Sequence, residues 1–455
     1  MLLVVRDRIS ILWPRLPWFL WVLISLAAIP LMVGLLYPPN NWDSMTYHLP
    51  RIEHWLQNGS LAFYPTSIPR QNVMGQFAEI VLLQLRALSG SDIYYNSLQW
   101  VAYVSTIINV SYIAMQLGAS NREQVVAAVI GGTIPMAVLQ ASSTQNDLIV
   151  SWWVTSLASL TLLWWKKGTV INGLLWGAAL GLACMTKGTA YPFSFVFGVF
   201  FLVLTARDLR KRFFIACCAG VIFLMFNLPL FIQNYKNFAN IWGDPITEKT
   251  LLQPSPKFFI ANIVCNVAMN IDLPKATSVH DLMTNVVEVT LNKLNIDEKD
   301  FFKWGEFKDR FNYTFHEDSA QSIVHMVLFL FSIPFLFLSG NRFVKVYGCM
   351  VCGTGIVFCC VVAWQPWIAR FQQTIFFLAS PIVALVLCKR KFLTIFCLTV
   401  LVMSAVLTNL FNFSRPIFDR NNIKSGVAIN RGFKFKVQHP VLGYWRLLKK
   451  LHRVS

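Results

Sequence analysis

Apolar stretches of bilayer-spanning length recur along most of this chain, and the bases between them fall in every second connection. A helix needs about 20 apolar residues to cross a bilayer. Eleven such spans are expected, at roughly 17–37, 95–117, 123–140, 147–165, 169–186, 190–206, 213–233, 323–339, 346–364, 372–388 and 392–411. Arg6, Arg8 and Arg15 precede the first. Alternate connections then carry Arg122; Lys166 and Lys167; Arg207, Arg210, Lys211 and Arg212; Arg342 and Lys345; and Lys389, Arg390 and Lys391. Lysine and arginine mark cytoplasmic loops. The pattern predicts an all-α, multi-pass bundle with a cytoplasmic N-terminus. The run from Pro17 to Leu36 has no small-residue cleavage site after it and reads as a retained anchor.

The alternation survives only if residues 73–89, "VMGQFAEIVLLQLRALS", do not cross. They contain Gln76, Glu79, Gln84 and Arg86. A helix lying in the interface keeps the parity and is expected to keep those groups wet.

Composition agrees. Of 455 residues, 56% are hydrophobic and 13% charged, against about 25% charged in soluble proteins. The net charge of +18 would suggest nucleic acid in a soluble domain. Here it is expected to serve loops and lipid headgroups, with membrane lipids rather than nucleic acid as partner. All ten cysteines except Cys265 fall in apolar runs. Cys349 and Cys352 form a CxxC inside one such run, which reads as packing, and no disulfide framework is implied.

The face opposite the bases is expected to hold connections 38–94, 141–147, the turn at Lys187, 234–322, 365–371 and the tail from Asn412. Within 234–322, "KFFIANIVCNVAM" has the character of a helix lying flat on the membrane. The tail ends "GYWRLLKKLHRVS", against the charge rule, and is expected to lie on anionic headgroups. The chain thus divides into a membrane module, 1–411, and a basic C-terminal tail, 412–455. Gly173, Gly177 and Gly181 recur every four residues and predict close helix packing.

The ionisable residues avoid the middles of the spans and gather at one set of ends. Asp43 follows the first span, in "NNWDSMTYHLPRIEHW". Asp147 opens the fourth, in "QASSTQNDLIVSWW", and Lys187 follows the fifth, in "CMTKGTAYPF". His316, Glu317 and Asp318 precede the eighth, in "YTFHEDSAQSIVH", and Arg370 lies between the ninth and tenth, in "WQPWIARFQQ". Each has a plain reading when taken singly. The aspartates suit helix caps, the cations suit snorkelling to headgroups, and the tryptophans suit an aromatic belt. His48 and His54 with Glu53 match no metal-ligand spacing; they and Trp55 suit the interface. Jointly, these readings leave unexplained why acids and bases meet at one surface of an otherwise neutral bundle.

One chemistry calls for this layout. A sugar on a polyprenyl phosphate has its lipid in the bilayer and its anomeric carbon just outside. Transfer needs a base for the acceptor hydroxyl and cations around the departing phosphate. Phosphate leaves as a stable anion, so no second carboxylic acid need protonate it, unlike glycoside hydrolysis. A single displacement inverts the anomeric centre.

The chain resembles the membrane glycosyltransferases of the GT-C superfamily, in the family 39 branch of protein O-mannosyltransferases and lipid A aminoarabinose transferases. It is most like bacterial members. The resemblance rests on "WDSMTYHLPRIEHWLQNGS", "LQASSTQNDLIVSWW", "TKGTAYPF", "HEDSAQSIVH" and "WQPWIARF", and runs from about residue 38 to 415. It implies a GT-C bundle with extracytoplasmic interfacial helices and loops in a bacterial cytoplasmic membrane. It also implies Asp43 as catalytic base and Asp147 near the same cavity. Lys187, Arg370 and Arg70 would contact the donor phosphate, and His316, Glu317 and Asp318 the acceptor side. The expected partners are a polyprenyl-phosphate sugar and a lipid or glycan acceptor. No cofactor is called for, and metal dependence stays open.

Two features depart from that family. Ser44 follows Asp43 where protein mannosyltransferases carry an acidic pair, which argues against a protein acceptor. "HED" continues as Gln-Ser-Ile-Val-His, keeping only His325 of an Asn-Pro-Leu-His stretch. Two other classes stay in view. A lipid or glycan transporter would show repeat symmetry and polar groups at mid-membrane, which the sequence lacks. A non-catalytic scaffold of an envelope-glycan complex would bind partners without donor turnover.

Overall fold

The computed structural model describes residues 18–243, 250–271, 278–304 and 314–417. The N-terminal arginines and the basic tail beyond residue 417 lie outside the described residues. Among those described, regular structure is helical: α1 Trp18–Leu36, α2 Leu49–Asn58, α3 Arg70–Val73, α4 Phe77–Ser89, α5 Ser97–Gln116, α6 Asn121–Gly132, α7 Pro135–Gln140, α8 Asp147–Lys166, α9 Val170–Thr186, α10 Ala190–Ala206, α11 Leu209–Phe238, α12 Pro256–Ile271, α13 Ser278–Lys293, α14 Glu298–Phe301, α15 Ile323–Leu338, α16 Arg342–Val361, α17 Ala369–Leu387 and α18 Lys391–Leu410. Six of them (α5, α8, α11, α16, α17 and α18) are long and apolar enough to cross a membrane. This is an integral, multi-pass membrane architecture.

Ten of the expected spans are continuous helices, and the one at 123–140 is broken. Pro135 has no N–H to continue the ladder, and Ile134 before it is extended at ψ 115°. At the break the Ile130 carbonyl accepts the Thr133 hydroxyl at 3.0 Å and His325 of α15 at 2.9 Å. Thus α6 and α7 are two helices joined by a satisfied break.

Helix α17 is the axis of the bundle, packed by α5, α6, α8, α15 and α16 and buried along most of its length. On α9, the Gly173-Gly177-Gly181 face meets α11 as expected. A Cβ at Gly177 would fall 2.5 Å from the Ala219 carbonyl oxygen. Cys265 also sits in an apolar helix, α12, and is buried. That helix presents Asn262, Asn266 and Asn270 to protein rather than to headgroups. Asn262 donates to the Cys359 and Val362 carbonyls, each at 2.7 Å.

The two ends of the bundle differ chemically. At one, bases lie on aromatic rings: Lys166 over Phe343, Arg212 over Trp164, and Arg342 over Trp165. At the other, α1 runs out into the segment bearing Asp43, and the acids collect.

Of residues 73–89, Phe77–Ser89 form helix α4, but not with the wet polar face expected. Glu79 is 0% exposed and Gln76 is buried; only the far end, with Gln84 and Arg86, reaches solvent. The reason is Arg51, itself 0% exposed. It pairs with Glu79 at 3.5 Å and donates to the backbone carbonyls of Arg70, Gln71, Met74 and Gly75. His48 takes the same Glu79 oxygen. A buried carboxylate is tolerated only when paired and hydrogen-bonded. Arg51 and His48 supply that here, and together they hold Glu79 below the usual carboxylate range against the upward push of burial.

Candidate active site

Asp43, Asp147, Lys187, Asp318 and Arg370 converge at one end of the bundle. Arg370 stands in the first turn of α17 and spreads its three nitrogens over three carboxylates from three segments. Its Nη2 lies 2.7 Å from Asp43 Oδ2, its Nη1 3.0 Å from Asp318 Oδ1, and its Nε 3.6 Å from Asp147 Oδ2. Lys187 takes the other Asp147 oxygen at 2.6 Å. Three carboxylates thus share two cations.

Helix ends explain several of these placements. Asp147 lies in the first turn of α8, where the helix dipole favours an anion. Lys187 follows the last turn of α9, where it favours a cation. Arg370 is at a helix N-terminus, so its charge and the dipole both favour anions there. Asp43 precedes a π-helical turn, Ser44–His48, in which Leu49 N–H reaches back five residues to the Ser44 carbonyl. Such turns are frequent at functional sites.

The plain single-residue readings fail here. Asp43 stands at a cap position and makes no side-chain cap bond. Asp147 lies inside its helix, one residue past the cap position. Lys187 and Arg370 do not snorkel: their side chains are 12% and 9% exposed, and both are spent on carboxylates. His48 and Trp55 are buried as well, whereas Trp42 nearby keeps an exposed ring.

The other expected residues divide. His316 Nδ1 is 3.7 Å from Asp318 and accepts the Asp318 N–H. Glu317 turns away to Arg415. Arg70 is exposed and stands over the Tyr47 ring, 5.8 Å from its centroid, outside the cluster. Amides finish the site. Gln145 donates to Asp318 at 2.7 Å, Gln140 to Asp147 at 3.4 Å, and Gln373 to Gln140 at 2.9 Å. Sequence reasoning passed over Arg51, Gln140, Gln145 and Arg415. Arg51, Gln140 and Gln145 stand inside the quoted motifs as polar residues, whereas Arg415 stands outside them all.

Electrostatics keep Asp43 ionised. Burial pushes its pKa up, but Arg370, Lys187 and His48 outweigh burial and bring it down to about 2. Burial lowers Lys187, with Asp147 acting against it. Tyr47 is pushed well up by burial and then by Asp43, so its phenol stays protonated. Chemically, the cluster offers a carboxylate that accepts a proton once freed, and two cations able to hold an oxyanion. Among the described residues, no three His, Cys, Asp or Glu side chains are grouped to hold a metal ion.

A solved structure shares this architecture. The archaeal oligosaccharyltransferase AglB from Archaeoglobus fulgidus, in complex with an inhibitory peptide and a dolichol-phosphate, superposes with a TM-score of 0.56 at 14% identity, over 89% of this chain and 56% of that one. The chain has the GT-C fold. It spans just over half of AglB. ArnT from Cupriavidus metallidurans also matches over 80% of this chain and 77% of its own. Its form bound to undecaprenyl phosphate gives 12% identity and a TM-score of 0.43, and its apo form gives 13% and 0.39. No family model matches the sequence, and no curated protein matches it significantly.

Proposed function

We propose that this chain is a glycosyltransferase that moves a sugar from a polyprenyl-phosphate donor to a lipid or glycan acceptor, with inversion and with Asp43 as general base. The observation that carries the reading is the Arg370-centred cluster, built at the mouth of an apolar bundle with the GT-C fold. The AglB structure contains a dolichol-phosphate, a ligand of the donor class proposed. The acid-bearing end is the extracytoplasmic one in this reading, and the end with Lys166, Arg212 and Arg342 is cytoplasmic.

Resting charges suggest how the site operates. Three carboxylates against two cations leave no welcome for an added phosphate. The donor phosphate must therefore replace a carboxylate on Arg370 or Lys187. Asp318 is the easiest to displace, since its side chain is 30% exposed against 10% for Asp43 and 3% for Asp147. As phosphate draws Arg370 to itself, Asp43 loses its main counter-charge and becomes a stronger base. It then takes the proton of the acceptor hydroxyl while that oxygen attacks the anomeric carbon. Arg370 and Lys187 stabilise the charge that grows on the departing phosphate.

The test is direct. Purified protein is incubated with a panel of polyprenyl-phosphate sugars and envelope lipids, and products are sought by mass. A new glycosidic product of inverted configuration is expected. Lipid movement across liposomes with no new bond would instead favour a transporter.

A further inference from the structure

The segment that follows α18 enters the site's scaffold through one buried side chain. Arg415 is 0% exposed. Its Nε donates to Ser142 Oγ at 3.1 Å, its Nη1 to Asn40 Oδ1 at 2.6 Å, and its Nη2 to Glu317 Oε2. Each acceptor belongs to a different segment. Asn40 is three residues before Asp43, Ser142 five before Asp147, and Glu317 next to Asp318.

We propose that Arg415 is a positioning residue that sets the spacing of Asp43, Asp147 and Asp318 around Arg370. This rests on the reading above of those acids and of Arg370 as the transfer site. Arg415 does not touch the cluster; it acts through the three segments that bear it.

Surrounding bonds make the strap stiff. Asn40 Nδ2 donates to the Ser414 carbonyl at 2.7 Å, so both ends of that amide are read by residues 414 and 415. Tyr37 Oη donates to the Pro416 carbonyl at 2.7 Å, and Phe413 N–H to the Phe315 carbonyl at 3.0 Å. Asn412 orders the turn by accepting the N–H groups of Ser414 and Arg415. The first and second segments are also sewn to each other, since Asn41 Nδ2 donates to Thr144 Oγ1 at 3.5 Å and Ser44 Oγ bonds the same oxygen. The planar fork of arginine suits three acceptors in fixed directions; the single ammonium of lysine does not.

Glu317 complicates the obvious experiment. It is 0% exposed, and its Oε1 has no hydrogen-bond partner among the described residues. Removing Arg415 alone strands a buried charge, which destabilises in its own right. The informative variant is therefore the double one, Glu317→Gln with Arg415→Met, which removes both charges. It is compared with Arg415→Met, Arg415→Lys and the unaltered protein.

Three readouts decide the matter: thermal stability, the split between kcat and donor KM, and hydrogen–deuterium exchange of segments 40–46, 142–147 and 314–322. The double variant is expected to regain stability. Its kcat stays about 100-fold down, the scale of a 1 Å misplacement, its donor KM changes little, and exchange rises in all three segments together. Arg415→Lys is expected to keep part of the stability and little of the rate. Recovery of kcat along with stability in the double variant, or unchanged exchange in the three segments, overturns the proposal. Should the unaltered protein transfer no sugar, the functional reading falls, and the exchange comparison alone decides whether Arg415 straps the segments.

Discussion

Arg370 Nη2 sits 2.7 Å from Asp43 Oδ2, so the proposed base is masked by a cation proposed to hold the donor phosphate. A base held by arginine is weak. The same contact makes its release a consequence of donor binding, and the separate roles of the two residues follow from what each loses when altered.

Asp43→Asn removes the proton acceptor and keeps the shape. Arg370 retains Asp318 and Asp147, so the variant is expected to insert and to melt within a few degrees of the parent. Sugar transfer falls about 100- to 10,000-fold, the usual worth of a positioned general base. A variant that is well folded and transfers at the parental rate would remove Asp43 from the mechanism.

The masking has a pH signature. The Asp43 pKa is depressed, from an ordinary 3.8 to about 2. A depressed carboxylate stabilises the fold above its unfolded pKa, and that contribution disappears as pH falls through the folded value, here between about 4 and 2. Its size is about 2 kcal/mol at neutral pH. In rate profiles, kcat/KM reports the free enzyme and kcat the donor complex. The acid limb of kcat is expected at higher pH than that of kcat/KM, because bound phosphate has drawn Arg370 away. Coincident limbs would argue that Arg370 never leaves Asp43.

Arg51 makes a different kind of prediction, since it touches no part of the cluster. Arg51→Met strands Glu79 and leaves the carbonyls of Arg70, Gln71, Met74 and Gly75 without their donor. Breaking a buried pair from one side costs about 3–5 kcal/mol. A fall in melting temperature with raised exchange over residues 64–76 is expected. If exchange there stayed at the parental level, the loop before α4 would be held by something else.

These residues also show where sequence reasoning stops. Spans are legible because apolar length and charge alternation are local, and the acids could be grouped because span parity assigns each loop to a face. Even the break at Pro135 was visible in principle. What parity cannot reveal is which side chain meets which. Glu79 in a half-polar helix looks like a solvated acid until Arg51, 28 positions earlier, is seen to bury it. Arg415 looks like the first base of a basic stretch until the chain returns 375 positions to Asn40. Such pairings arise from tertiary closure and leave no period in the sequence.

Gly177 tests the part of the fold that was legible. Its missing side chain lets α9 and α11 approach until a Cβ would sit 2.5 Å from the Ala219 carbonyl oxygen and 2.6 Å from its Cα. Both are backbone atoms, so no rotamer change relieves the clash. Small residues at such crossings are what lets membrane helices pack closely. Gly177→Leu is expected to push the helices apart and cost about 1–3 kcal/mol or more, read as a lower melting temperature in detergent. Gly198→Leu is the control, because nothing lies within 4 Å of a Cβ there, and it should melt with the parent. Lys187 hangs from the end of α9, so the Gly177 variant should also weaken binding of undecaprenyl phosphate, while the control should not. Equal melting of the two variants would mean that the glycine face does not set the α9–α11 spacing.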